Sequence, residues 1–124
     1  MANRIKQERS IFAWTPTFIW ASIILIFAVL PCKVCPPLAV GYFDKVAHFC
    51  EYAFLAVLIV RNMCRMGSLS VMKISLFTLI LSGGYGIVME LIQQFVPGRD
   101  ASLYDVVANA AGTIFGIILG ILLL

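Results

Sequence analysis

Charge is scarce in this chain. Nine Lys or Arg, six Asp or Glu and a single His are spread over 124 residues, while 62% of residues are hydrophobic and the mean hydropathy is +1.02. That leaves too little polar surface to clothe a soluble globule, and a polytopic membrane protein is expected instead. The basic residues are too dispersed to form a stripe, so no nucleic-acid partner is expected. The four cysteines include one Cys-x-x-Cys, Cys32 to Cys35, which cannot complete a four-cysteine zinc site. Pro36 and Pro37 follow it and argue against a thioredoxin-like helix start, leaving a local disulfide as the one chemistry open to that pair. Cys50 and Cys64 read as apolar filler. There is no P-loop, kinase or nucleotide signature, and no Ser-His or Cys-His nucleophile pattern. Internal repeats, low-complexity segments and a soluble appendage are absent as well.

What the chain does have is four apolar stretches, at about 11–30, 46–60, 71–96 and 106–124. Each approaches or exceeds the roughly 17–25 residues needed to cross a bilayer. The expected fold is all-α: one domain, residues 1–124, with four transmembrane helices packed as a bundle. The first stretch is longer than the apolar part of a signal peptide and lacks a small-x-small cleavage site, so it reads as a retained anchor. Arg4, Lys6 and Arg9 precede the first stretch, and Arg61, Arg65 and Lys73 lie between the second and third. The positive-inside rule makes that side cytoplasmic. Both termini are then expected inside a cell (cytoplasmic or inner) membrane, with the linkers 31–45 and 97–105 outside. Trp14, Tyr42 and Tyr104 lie near span ends and suit interfacial anchoring; Trp20, Tyr52 and Tyr85 suit a core.

Five of the six carboxylates and the histidine fall into two runs, residues 44–51 and 90–105. On the expected topology both runs face outward. Glu51 lies seven residues past Asp44 and Glu90 seven before Pro97, each about 10 Å along a helix, so their depths agree. Helical phase agrees too. Asp44, His48 and Glu51 share one helix face; Glu90, Gln93 and Gln94 share another; and Asp105, Asn109, Gly112, Gly116 and Gly120 form a stripe on a third. Ionisable groups facing lipid are costly, so one shared pocket inside the bundle is the economical arrangement. Below it, the Gly-xxx-Gly-xxx-Gly face of Gly112, Gly116 and Gly120 lets another helix backbone approach closely, in the same chain or in a second copy as a homo-oligomer. Gly83, Gly84 and Gly86 could serve that contact or loosen the third helix.

Three motifs in order, Asp-Lys-x-x-His-Phe-x-Glu-Tyr at 44–52, Glu-x-x-Gln-x-Phe-Val-Pro-Gly-Arg at 90–99 and Asp-x-x-x-Asn-x-x-Gly-x-x-x-Gly at 105–116, resemble the VanZ-like family. The four-span layout resembles it as well. The family's founding member is associated with low-level resistance to the glycopeptide teicoplanin. The resemblance therefore implies an envelope-facing membrane protein, and less firmly an effect on glycopeptide susceptibility. Its motif residues carry over as Asp44, Lys45, His48, Glu90, Gln93, Arg99, Asp105 and Asn109, with Gly112 and Gly116 at packing positions.

Two functional classes follow. In the first, the pocket binds a lipid-linked envelope precursor or an anionic membrane lipid. Arg99 and Lys45 hold the headgroup, and Asp44, Glu51, Gln93, Asp105 and Asn109 complete the ligand-binding set. In the second, a small membrane enzyme acts on a lipid-linked phosphate. Glu90 and His48 are then the catalytic acid and base, with Asp105 and Glu51 orienting them or holding a metal. No cofactor is specified by the sequence. A divalent cation is open to these groups, oxygen ligands suiting Mg²⁺ or Ca²⁺ and His48 tilting the choice toward Zn²⁺ or Mn²⁺. The plain alternative is structural: Asp44 or Asp105 paired with Arg99, Lys45 with Asp100, Asp105 as a cap or first-turn acid, and interhelical hydrogen bonds that only hold the bundle together.

Overall fold

A computed structural model describes residues 1–31, 42–99 and 101–124. Among them the structure is all-helical. The elements are α1 (Ala2–Val29), α2 (Tyr42–Met66), α3 (Val71–Thr78), a π turn (Leu79–Gly83), α4 (Gly84–Gln93) and α5 (Leu103–Leu123). α3, the π turn and α4 run on as one rod, Val71–Gln93. Cys32, Cys35 and Asp100 lie outside the described residues, so the disulfide and the Lys45–Asp100 pairing expected from sequence fall there.

Local signals explain the boundaries. α2 ends at Met66, where Gly67 takes φ +60°, a conformation that side chains disfavour. Ser70 then caps α3, its hydroxyl accepting from the Lys73 N–H. Ser102 caps α5 in the same way, accepting from the Tyr104 N–H at 3.1 Å. Asp105 is accordingly a first-turn acid and not the cap. α1 begins well before the expected apolar start, because Arg4, Lys6, Gln7, Glu8 and Arg9 are good helix formers that continue the rod toward the terminus.

Three helical rods, Ala2–Val29, Val71–Gln93 and Leu103–Leu123, are long and apolar enough to cross a membrane. α2 holds the expected second stretch, and it is the helix the others surround. It packs against α1, α3, the π turn and α5, most extensively α5. Its buried residues include Tyr52, Leu55, Ala56, Ile59 and Val60. Large apolar side chains such as Phe18, Phe54, Leu76, Ile87 and Ile118 point outward, as a lipid-facing perimeter requires.

α5 meets α2 along the glycine stripe. A Cβ on Gly112 would strike the main-chain carbonyl of Phe49, and one on Gly116 that of Ala53. A Cβ on Gly120 would lie 3.0 Å from the Val60 side chain. Only glycine permits an approach this close. Gly83 and Gly84 have open space around them, whereas Gly86 faces Tyr52 and Asn109.

The π turn has a physical reason. Ile74, Thr78, Ser82, Gly86 and Glu90 are buried at four-residue spacing. Each four-residue step in a regular α-helix overshoots by about 40°, so the stripe would wind off the bundle. A wider turn takes up that drift. It brings the Ser82 hydroxyl to 2.8 Å from that of Thr113 on α5, both fully buried. In a double-mutant cycle of Ser82→Ala and Thr113→Val, unfolding in detergent is expected to give a coupling of about 0.6 kcal/mol. Independent losses would place the interhelical contact elsewhere.

Candidate functional site

α2 delivers the first set of polar groups. The i, i+4 and i, i+3 spacings put Asp44 Oδ2 at 3.6 Å from His48 Nε2 and Glu51 Oε2 at 3.8 Å from His48 Nδ1. The imidazole thus stands between two carboxylates from its own helix. It is buried, with 8% of its surface exposed. Asp44 precedes the apolar part of α2 and stands in its first turn.

α5 supplies the second set. Asp105 is buried and accepts from Lys45 Nζ at 3.4 Å, an ion pair joining α2 to α5. One turn deeper, Asn109 donates through Nδ2 to Glu90 Oε1 on α4 at 3.4 Å. Glu90 is 5% exposed, and its second oxygen, Oε2, has no hydrogen-bond partner among the described residues. The donor atoms of Asp44, His48 and Asp105 come within 4.8 Å of one another.

A cavity of about 330 Å³ opens beside this cluster. α1 lines it with Ile24, Phe27 and Ala28; α2 with Asp44, Ala47, His48, Glu51 and Tyr52; α4 with Met89 and Gln93; Arg99 closes the set. The structure therefore gathers Asp44, His48, Glu51, Gln93 and Arg99 around one space. It sets Lys45, Asp105, Glu90 and Asn109 in an adjoining polar layer between α2, α4 and α5.

Arg99 is anchored from an unexpected direction. Its Nε donates to the Leu30 carbonyl at 3.1 Å and its Nη2 to the Phe27 carbonyl at 2.9 Å. No ion pair of Arg99 with Asp44 or Asp105 forms; Asp105 takes Lys45 instead. The guanidinium thus satisfies carbonyls that the end of α1 leaves unpaired and complements the negative end of its dipole.

Sequence reasoning assigned Tyr52, Tyr85 and Trp20 to the core without partners, and passed over Asn62 and Thr17. Tyr52 is 1% exposed, lines the cavity, and its hydroxyl has no partner among the described residues. Tyr85 donates to the Ala21 carbonyl and Trp20 to the Glu51 carbonyl, tying α1 to the rods around it. At the other end of the molecule, buried Asn62 donates to Thr17 Oγ1 at 2.7 Å. Thr17 did carry a signal, as a polar residue inside an apolar run, whereas Asn62 lies past the second stretch, between Arg61 and Arg65. Cys50 and Cys64 are exposed, and no disulfide joins them to one another or to any other described residue.

The sequence profile of the VanZ/LLP1 family matches residues 2–124. The chain belongs to the VanZ/LLP1 family. No curated protein and no solved structure matches it significantly. For this VanZ/LLP1 protein, the three motif runs converge: the first and second border the cavity through Asp44, His48, Gln93 and Arg99, and the third stands against them through Asp105 and Asn109.

Proposed function

We propose that this VanZ/LLP1 protein crosses the cytoplasmic membrane four times and binds the anionic headgroup of a membrane lipid or lipid-linked envelope precursor in an outward-facing pocket. α2 is the fourth span on this reading. Its 25 residues reach about 37 Å, enough for a bilayer. Arg4, Arg9, Arg61 and Arg65 flank the opposite end of the bundle, and this charge bias supports a topology with both termini in the cytoplasm.

The observation that carries the reading is the cavity itself. Charged and amide side chains from α2, α4 and the segment after α4 line a space between apolar helices, where ionisable groups are retained for a task. Its volume suits a headgroup and not a whole lipid. Arg99 keeps one guanidinium nitrogen beyond the two spent on α1, and Gln93 and Tyr52 offer neutral hydrogen-bonding groups. Occupying a precursor headgroup at the outer surface would alter how teicoplanin meets its target.

Native mass spectrometry of the protein in mild detergent tests this. An anionic lipid or polyprenyl phosphate is expected to travel with the wild type, and its absence from preparations that retain neutral lipid would end the proposal. The enzymatic reading draws support from the unpartnered oxygen of Glu90, an acid or base free to act. Glu90→Gln and His48→Asn separate the two. If either abolishes an effect on teicoplanin susceptibility while the lipid stays bound, chemistry is favoured over binding.

A further inference from the structure

We propose that Asp44, His48 and Asp105 hold a first-row divalent cation, Zn²⁺ or Mn²⁺, with Glu51 orienting the imidazole and Lys45 taking the cation's place in the metal-free protein. The inference rests on the geometry of the cluster and stands whether or not a lipid is bound.

The donors are already close. Ligand atoms around a tetrahedral Zn²⁺ with bonds near 2.1 Å lie about 3.4 Å apart. Asp44 Oδ2 and His48 Nε2 are at 3.6 Å, and all three donors lie within 4.8 Å of one another. A rotamer adjustment of Asp105, released from Lys45, closes the remainder.

The imidazole is presented as a metal ligand is. Nε2 faces Asp44, and Nδ1 faces the Glu51 carboxylate at 3.8 Å without a hydrogen bond. Metal-bound histidines donate their other N–H to a carboxylate, which fixes the tautomer and raises ligand basicity. Glu51 occupies that outer position on the same helix, one turn away.

Charge points the same way. Among the described residues, the carboxylates of Asp44, Glu51, Asp105 and Glu90 are met by two cations, Lys45 and Arg99. Two of the Arg99 nitrogens are committed to main-chain carbonyls. Surplus negative charge in apolar surroundings is costly, and a divalent cation cancels it. Lys45 Nζ, at 3.4 Å from Asp105, marks where positive charge already collects.

Glu90 gives an independent sign. Asn109, one turn below Asp105 on α5, joins it to the same polar layer. Its Oε2 is buried and lacks a donor among the described residues. Water bound to a cation in the cluster is a donor of the kind that oxygen lacks. One imidazole nitrogen with carboxylate oxygens favours Zn²⁺ or Mn²⁺ over Mg²⁺ or Ca²⁺.

The test is calorimetric titration of the full-length protein, stripped with EDTA in mild detergent, with ZnCl₂ and separately with MnCl₂. Binding of one ion per chain is expected. Asp105→Asn and His48→Gln should each weaken it at least tenfold, and Glu51→Gln about tenfold. Lys45→Met should tighten it by removing the competing charge; a purely structural ion pair gives no such gain. Circular dichroism confirms that each variant folds, and the wild type and Lys45→Met carry the decision if another variant does not. Failure of both to bind either ion overturns the proposal. So does Zn²⁺ binding undiminished in folded Asp105→Asn and His48→Gln, which would assign the ion to cysteines. Lipid retention measured in EDTA reports on the lipid reading separately, so either can fall alone.

Discussion

Gly116→Val is expected to disrupt the protein severely. The α2 and α5 backbones are in contact there. A Cβ at this position would strike the Ala53 carbonyl and lie 2.8 Å from the Ala56 Cβ and 2.9 Å from the Ala53 carbonyl carbon. None of these is the end of a flexible side chain, so the helices must separate. Overpacking of this kind costs about 3 kcal/mol, and the branched side chain adds more. Even Gly116→Ala should destabilise, reversing the usual gain of about 1 kcal/mol for replacing a helical glycine. Gly83→Ala is the control: it has open space and should be neutral or stabilising. Unfolding of purified protein in detergent, followed by tryptophan fluorescence, measures both. Equal behaviour of the two alanine variants would mean the helices are not in contact at Gly116. The separation would also draw α5 from α2 at Lys45–Asp105, so the polar layer should fail with the packing.

Arg99→Ala carries the second large effect, on stability and on the pocket together. The side chain joins the turn after α4 to the end of α1 through two charge-assisted hydrogen bonds. Removing a cation from a partly buried helix C-terminus costs up to about 2 kcal/mol. The cavity loses a wall in the same step, because Phe27 and Arg99 both line it. Thermal unfolding should shift down, and the anionic lipid detected by mass spectrometry should fall away. Arg99→Lys is the sharper variant. An ammonium cannot span both carbonyls with the fixed fork of a guanidinium, so it should restore charge and less than half of the stability. Full recovery by lysine would show that only the charge matters.

The apolar stretches were enough to locate every helix among the described residues, since hydrophobic patterning decides helix existence. The ends were harder to see. Arg4 to Arg9 read as a topological flank, yet they extend α1 by more than two turns, because charge pattern says nothing against helix propensity. The grouping of Asp44, His48 and Glu51 was legible because one helix fixes their spacing. The Lys45–Asp105 pair was not, since it depends on how two helices 60 residues apart rotate about each other. Arg99 illustrates the limit most clearly. Its partners are main-chain carbonyls, which every residue possesses, so nothing in the side chains of Phe27 or Leu30 announces them. The π turn did leave a trace, the polar or small residues Thr78, Ser82, Gly86 and Glu90 at every fourth position.

That turn fixes a length as well as a shape. Ser82 and Glu90 both reach α5 from the same rod, through Thr113 and Asn109. Taking out one residue between them would swing everything above the gap by about 100° relative to everything below it. One of the two contacts would then be lost, whatever side chains were present. On its lipid side the segment can drift in composition, as any greasy surface can. Its residue count cannot change, so insertions and deletions should be purged here while substitutions accumulate.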